Sequence, residues 1–270
     1  MKISIVTISF NQAKYLRQCI DSVLLQDYPN FEYIIVDPGS TDGSREIIES
    51  YGDRIVKVFE KDSGPADGLN KGFSLATGDI YGFLNSDDIL LPNAFQIVSK
   101  TFLSNSRFDA INGSGFIINE DGSIAYRIVS SKFTTSLYLL NAVTVFQQAT
   151  FFKAKFFKKV GGFNIKNKTC WDSEFFFDIA EGGARFKNIY DDLAYFRLYP
   201  TSISGSGRLY TQYQKDHLRI YKEATGRDFN WFDKVFCIAM RPIKWILTPA
   251  YLYQRFLSVY SSSKIKLNNH

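Results

Sequence analysis

Histidine is scarce in this chain: of 270 residues only His217 and His270 are histidines, and the second is the last residue. That leaves little for a histidine-built zinc site or a Ser/His/Asp hydrolase, so any acid or base is expected to be a carboxylate. Cysteine is equally thin. Cys19, Cys170 and Cys237 are odd in number and far apart, which excludes a disulfide framework or a paired C-x-x-C metal site and predicts free buried thiols. No uninterrupted apolar run reaches about 18 residues, so no membrane span is drawn. The chain opens on Lys2-Ile3-Ser4-Ile5-Val6, a strand-like run rather than a charged segment with a cleavage site, so a cytosolic setting is expected. Missing too are G-x-G-x-x-G and G-x-x-x-x-G-K-[ST], the glycine cradles for phosphate.

Aromatic side chains are plentiful, with 25 Phe, 16 Tyr and 3 Trp, and 45% of residues are apolar. Such a chain buries enough apolar surface to offset its conformational entropy, so disorder is excluded and one large domain with an appendage is expected. Residues 231 to 270 hold six Lys or Arg against Asp233 alone, a surplus equal to the whole chain's net charge of +5. Residues 1 to 230 are therefore neutral, which argues against nucleic acid as a partner. In the tail those cations alternate with Trp231, Phe232, Phe236, Trp245, Tyr251, Tyr253 and Phe256. Two readings stand for it: peripheral contact with the inner face of the plasma membrane, or helices packed on their own domain.

Along the chain, residues 3 to 8 read as a buried strand, and Tyr15, Leu16, Cys19, Ile20, Val23 and Leu24 recur at helical spacing after Asn11, the expected N-cap. The pattern repeats with strands at 33–36, 55–59 and 80–84 and helices at 44–51, 65–76 and 92–103. Such alternation implies right-handed crossovers and a mainly parallel sheet with helices on both faces. After residue 105 the rhythm changes. A hairpin is expected about Glu120-Asp121-Gly122, then mixed strands and helices near 147–152, 153–160, 172–181 and 185–197.

In an open parallel sheet ligands bind at the carboxyl ends of the strands. Asp37 follows the second strand and Asn85-Ser86-Asp87-Asp88 follows the fourth. Adjacent carboxylates there suit Mg²⁺ or Mn²⁺, which favour oxygen ligands completed by water and phosphate. A solvated turn or helix cap is the alternative for such a pair.

Ile3 to Asn11, Asp37-Pro38-Gly39-Ser40-Thr41-Asp42-Gly43 and Gly78-Asp79-Ile80 leading to Asn85-Ser86-Asp87-Asp88 resemble a family 2 glycosyltransferase. Phe146-Gln147-Gln148-Ala149-Thr150-Phe151-Phe152, Val160-Gly161-Gly162-Phe163 and Trp171-Asp172-Ser173-Glu174-Phe175 follow in the family's order, so the likeness covers about residues 2 to 205. It implies a GT-A fold over residues 1–225, with a nucleotide-sugar-binding part (1–105), an acceptor-side part (106–225) and a basic aromatic helical tail (226–270). It also implies inverting transfer from a nucleotide-diphosphate sugar, a UDP-sugar by expectation, to a hydroxyl of a glycan or lipid-linked glycan in cell-surface polysaccharide synthesis.

By the same resemblance Asp37 would accept from the nucleotide base near Ser9 and Phe10, and Asn70 would also lie at the donor. Asp87 would approach the donor's ribose and sugar, Asp88 would ligate the metal, and Asp172 would be the general base, with Glu174 as its nearest rival. An Asp capping its own turn or helix is the alternative for Asp37 and Asp172. The chain departs from many relatives at Pro38, Leu69 and Tyr199, and Lys71 is a candidate for a cation missing at position 69. Those departures keep open a non-catalytic nucleotide-sugar-binding scaffold. A sugar nucleotidyltransferase is the other alternative, though Ser9-Phe10-Asn11-Gln12 lacks the glycines and cation a triphosphate would need.

Overall fold

The computed structural model describes residues 1–240 together with Pro242 and Tyr253. The first half alternates β1 (Ile3–Ile8), α1 (Ala13–Leu24), β2 (Phe31–Val36), α2 (Ser44–Glu49), β3 (Val56–Val58), α3 (Pro65–Leu75) and β4 (Ile80–Asn85), then β5 (Ile89–Leu90) and α4 (Ala94–Ser104). The second half runs through the hairpin β6 (Ala110–Ile118) and β7 (Ile124–Ile128), α5 (Thr135–Leu139), β8 (Thr150–Lys153), α6 (Ala154–Val160), α7 (Trp171–Glu181) and β9 (Phe186–Arg197). Among the described residues α8 (Ile203–Ser206), α9 (Tyr210–Thr225) and α10 (Trp231–Met240) follow. In the tail, Arg241, Lys244, Trp245, Arg255, Lys264 and Lys266 lie outside the described residues, so both readings of it stand there.

The strands make one sheet in the order β3-β2-β1-β4-β8-β6-β9-β5, with β7 on β6. Its first four members are parallel, as the βαβ rhythm predicts. From β8 onward directions mix, because β8 runs antiparallel to both β4 and β6 while β9 lies parallel to β6. One face of the sheet buries Leu16 and Ile20 of α1, Ile48 of α2 and Phe95 of α4. The other buries Phe73 of α3, Phe156 of α6 and Phe175 and Phe176 of α7. On that second face Phe163 stacks on Phe175 with centroids 4.2 Å apart, and Phe73 stacks on Tyr81 at 4.8 Å. Each fully buried aromatic is worth about 1.5–3 kcal/mol, so this cluster is what holds α7 against the sheet.

Local details differ from expectation where side chains from other loops intervene. Asn11 is left-handed, φ 52°, and α1 starts one residue past Gln12. The amides of Gln12 and Ala13 are bonded by Ser44 Oγ and Asp42 Oδ2, so the loop after β2 supplies the cap expected from Asn11. α3 has its proline at the start, where no amide is needed. Within it, a Cβ on Gly72 would come within 2.4 Å of Val6 Cγ1, so only glycine lets α3 pack this closely on β1.

Candidate active site

β1 through β4 end together: Ile8 is opposite Val36 and Asn85, and Val36 is opposite Val58. Residues just beyond these strands therefore share one rim, which brings Ser9, Phe10, Asp37, Asp87 and Asp88 to one end of the sheet.

They differ in what they can do there. Ser9 is buried and its Oγ has no hydrogen-bond partner among the described residues, whereas the Phe10 ring beside it is 59% exposed. Asp37 is wholly buried and its carboxylate is used inside its own loop. Oδ1 accepts from the Gly39 and Ser40 amides and from Arg45 Nε, and Oδ2 accepts from the Ser40 hydroxyl at 2.6 Å. The turn-capping alternative is thus what the geometry shows, and a base would have to displace those bonds. Asn70 is also committed elsewhere. Its amide pairs with the Phe163 backbone through Nδ2 to the carbonyl (2.9 Å) and Oδ1 to the N–H (2.7 Å), clamping α3 to the Gly161-Gly162-Phe163 turn. Gly162 sits at φ +90°, and a Cβ there would strike Asn70 Oδ1 at 2.5 Å. Lys71 turns to the Glu60-Lys61 loop, paired with Glu60 and bonded to the Lys61 carbonyl.

Asp87 and Asp88 part company. Asp88 has no exposed surface: Oδ1 accepts from the Arg197 amide, and Oδ2 from Gln148 Nε2 (2.8 Å) and Asn85 Nδ2 (3.2 Å). Burial, and then the neighbouring Asp87 charge, push its carboxyl well above the usual range. Asp87 is only part-buried at the rim, with Oδ2 accepting from the Tyr199 hydroxyl at 3.0 Å. Burial raises its carboxyl as well, against that hydrogen bond. Asp88, expected to ligate the metal, thus has both oxygens engaged inside the turn, while Asp87 is the one of the pair that faces the rim. Tyr199, one of the departures from many relatives, reaches this rim from the segment just after β9. Arg197 beside it locks the turn, donating to the Asp87 carbonyl and to Gln18 Oε1, with its guanidinium 4.8 Å from the Tyr15 ring centroid.

Asp172 lies in the first turn of α7. Its neighbour Trp171 packs on Phe83, two residues before the end of β4, with centroids 5.7 Å apart, which carries the helix start to the same rim. Asp172 is part-exposed, Oδ1 accepts from the Ser173 amide at 2.7 Å, and Oδ2 has no hydrogen bond among the described residues. Burial raises its carboxyl above the ordinary carboxylate value. Glu174, the rival base, is sealed. Arg219 binds it through both nitrogens at 2.8 and 2.7 Å, and Asn164 and Asn167 fill its remaining positions. Burial alone would raise it, but the Arg219 and asparagine bonds outweigh that and hold it below the ordinary range. It braces α7 against α9 and cannot take a proton from a ligand.

Among the described residues no group of three His, Cys, Asp or Glu is placed to hold a metal ion. The donor set fits a cation that takes one carboxylate, Asp87, and completes its shell from phosphate and water, as Mg²⁺ does readily. One rim residue escaped the sequence reading. Asp62 lies in the loop after β3, four residues past Val58, and is raised by burial first, although it also caps the Gly64 amide. The strand-end rule would have found it.

Residues 4–161, more than half of the chain, match the model of glycosyl transferase family 2. The chain belongs to that family. This family 2 chain is 27% identical over 234 residues to the chondroitin synthase of Pasteurella multocida, covering 83% of itself and 23% of the synthase. Among solved structures, S. aureus TarS in complex with UDP-GlcNAc superposes with a TM-score of 0.67 at 18% identity, over 93% of this chain and 73% of that one. The mannosyltransferase PcManGT of Pyrobaculum calidifontis, in complex with GDP-Man and Mn²⁺, does so at 0.62 and 17%, over 97% and 75%. At such identities the likeness is one of fold, and that fold is the GT-A type. The chain spans well under two thirds of the curated relatives' own length, 40% and 57% in two further bacterial cases.

Proposed function

We propose that this family 2 chain transfers a sugar from a nucleoside-diphosphate donor, a UDP-sugar first among candidates, to a hydroxyl of a glycan or lipid-linked glycan, with inversion. The observation that carries it is the half-open carboxylate of Asp172. One oxygen is oriented by the Ser173 amide, the other has no hydrogen bond among the described residues, and burial has raised its basicity. An acceptor hydroxyl is a poor nucleophile near neutral pH. A carboxylate that takes its proton as it attacks the anomeric carbon contributes about 10²- to 10⁴-fold. Attack from the face opposite the departing nucleotide inverts the configuration.

On the donor side, the exposed Phe10 ring offers a base a stacking surface, and the orphaned Ser9 hydroxyl offers a hydrogen bond. Asp37 supports this reading indirectly, as the residue that shapes the loop under the base. Asp87 would hold a Mg²⁺ or Mn²⁺ ion, which when bound neutralises charge on the diphosphate. Chondroitin synthase among the relatives and the UDP-GlcNAc and Mn²⁺ complexes among the structures favour a polysaccharide acceptor, a UDP donor and a divalent metal.

The test is Asp172→Asn, assayed with a panel of nucleotide sugars in Mn²⁺. Transfer is expected to fall at least about 100-fold, while the donor still raises the melting temperature as in the unaltered chain. In the parent the rate should fall as pH drops through the raised Asp172 value, where the base becomes protonated. Full turnover by Asp172→Asn would remove this assignment.

A further inference from the structure

α10 is an apolar helix with most of its surface uncovered. Trp231 and Phe232 are each 64% exposed, and Val235, Phe236 and Ile238 are each more than half exposed. Its inward side is narrow: Asp233 accepts from the Tyr221 hydroxyl and from Arg227, and Cys237 is buried with its thiol toward the Leu139 carbonyl. Among the described residues Asp233 and Cys237 tie the helix to the domain, while Trp231, Phe232, Val235, Phe236 and Ile238 face outward. An exposed patch of this kind marks an interface. No helix among the described residues is long and apolar enough to cross a membrane.

Charge identifies the partner. Lys234 flanks the patch, and the sequence from 231 to 270 carries six cations against one acid, while residues 1 to 230 sum to zero. A tryptophan-bearing apolar face joined to a basic segment matches a bilayer surface of anionic headgroups, where the ring enters the interface and the cations meet the phosphates. Its place in the fold agrees. Leu139, against which Cys237 rests, adjoins Tyr138, whose hydroxyl lies 3.3 Å from Ser173 Oγ, next to the base Asp172.

We propose that the outer face of α10 seats the protein on an anionic bilayer, setting the Asp172 side of the cleft toward lipid-borne acceptors. The acceptor half of this statement rests on the transferase reading, whereas the docking half does not. Vesicle binding is measured without donor or acceptor, so loss of one reading leaves the other standing.

The experiment is co-sedimentation of the full chain with phosphatidylcholine vesicles, with and without phosphatidylglycerol, and the same for Trp231→Ser/Phe232→Ser. Pelleting is expected only with the anionic vesicles, to weaken with added salt, and to fall at least about tenfold in the variant with its melting temperature unchanged. Equal pelleting with both lipids, or unaltered binding by the variant, would overturn the proposal. So would a dimer that the variant dissociates, which assigns the face to a second copy. A marked loss of melting temperature in the variant would overturn it as well, by assigning the face to packing within the chain.

Discussion

Asp87 and Asp88 are neighbours in the turn after β4, and the backbone bond from the Asp88 amide to the Asn85 carbonyl turns them opposite ways. Asp88 points inward to three donors, and Asp87 points to the rim. Replacing Asp88 by Asn puts an amide N–H₂ against the donors of Gln148 and Asn85, or against the Arg197 amide, at a position with no exposed surface. An unsatisfied buried group of this kind costs about 1–3 kcal/mol, so Asp88→Asn is expected to melt several degrees lower. Asp87→Asn keeps its fold, because only the Tyr199 bond changes, and is expected to lose the thermal shift caused by Mn²⁺ with donor. Scanning fluorimetry of the two variants decides between them. A stable Asp88→Asn chain without a Mn²⁺ response would return the ligand role to Asp88. Two adjacent carboxylates look alike in a sequence. Only the turn that separates them, and the distant Gln148 and Arg197, tell them apart.

The elements that carry the site are braced by polar side chains whose work resembles catalysis when read along the chain. Glu174 stands two residues from Asp172, and its bidentate bond to Arg219 ties α7 to α9. Glu174→Gln would leave Arg219 with the exposed Glu223 as its counter-charge and weaken the bidentate tie at a part-buried position, for about 1–2 kcal/mol. The melting temperature is therefore expected to drop while turnover per folded molecule persists. The opposite pair of results, unchanged melting and lost turnover, would make Glu174 the base. The elements themselves were largely legible: apart from the two-residue β5, which the pattern missed, hydrophobic periodicity placed the strands and helices through residue 103 within about two residues, because each buries a continuous face. The same period could not show that Asn70 reaches Phe163, 93 residues away, or that Asp42 caps α1 from another loop. Those contacts depend on strand order, which the local pattern does not contain.

For the whole molecule, stability is a sum over groups whose burial either helps or opposes their charge. Glu32 is held down to about 2 because its bonds to Lys2, Ser4 and Thr77 outweigh burial, so it stabilises above the ordinary carboxylate value and ceases to only in strong acid. Asp178 acts in the other direction. It faces a depression of about 280 Å³ between α7 and α9 that it shares with Glu174, Glu181 and Glu223. Burial first, then the Glu174 charge, raise it to about 7, with Arg219 opposing. Between about 4, its unfolded value, and about 7, the folded chain holds a proton that the unfolded chain releases, so raising pH through this window removes stability. The penalty is complete above about 7 and absent below about 4. Asp178→Asn fixes the neutral form, and after allowance for solvent screening the gain at pH 8 is on the order of 1–2 kcal/mol. Melting followed by circular dichroism should show the variant a few degrees above its parent at about pH 8, the gap closing as pH falls toward 5. A constant gap at all pH values would mean a packing effect, and a lower-melting variant at pH 8 would mean that the Asp178 charge is needed by Arg219.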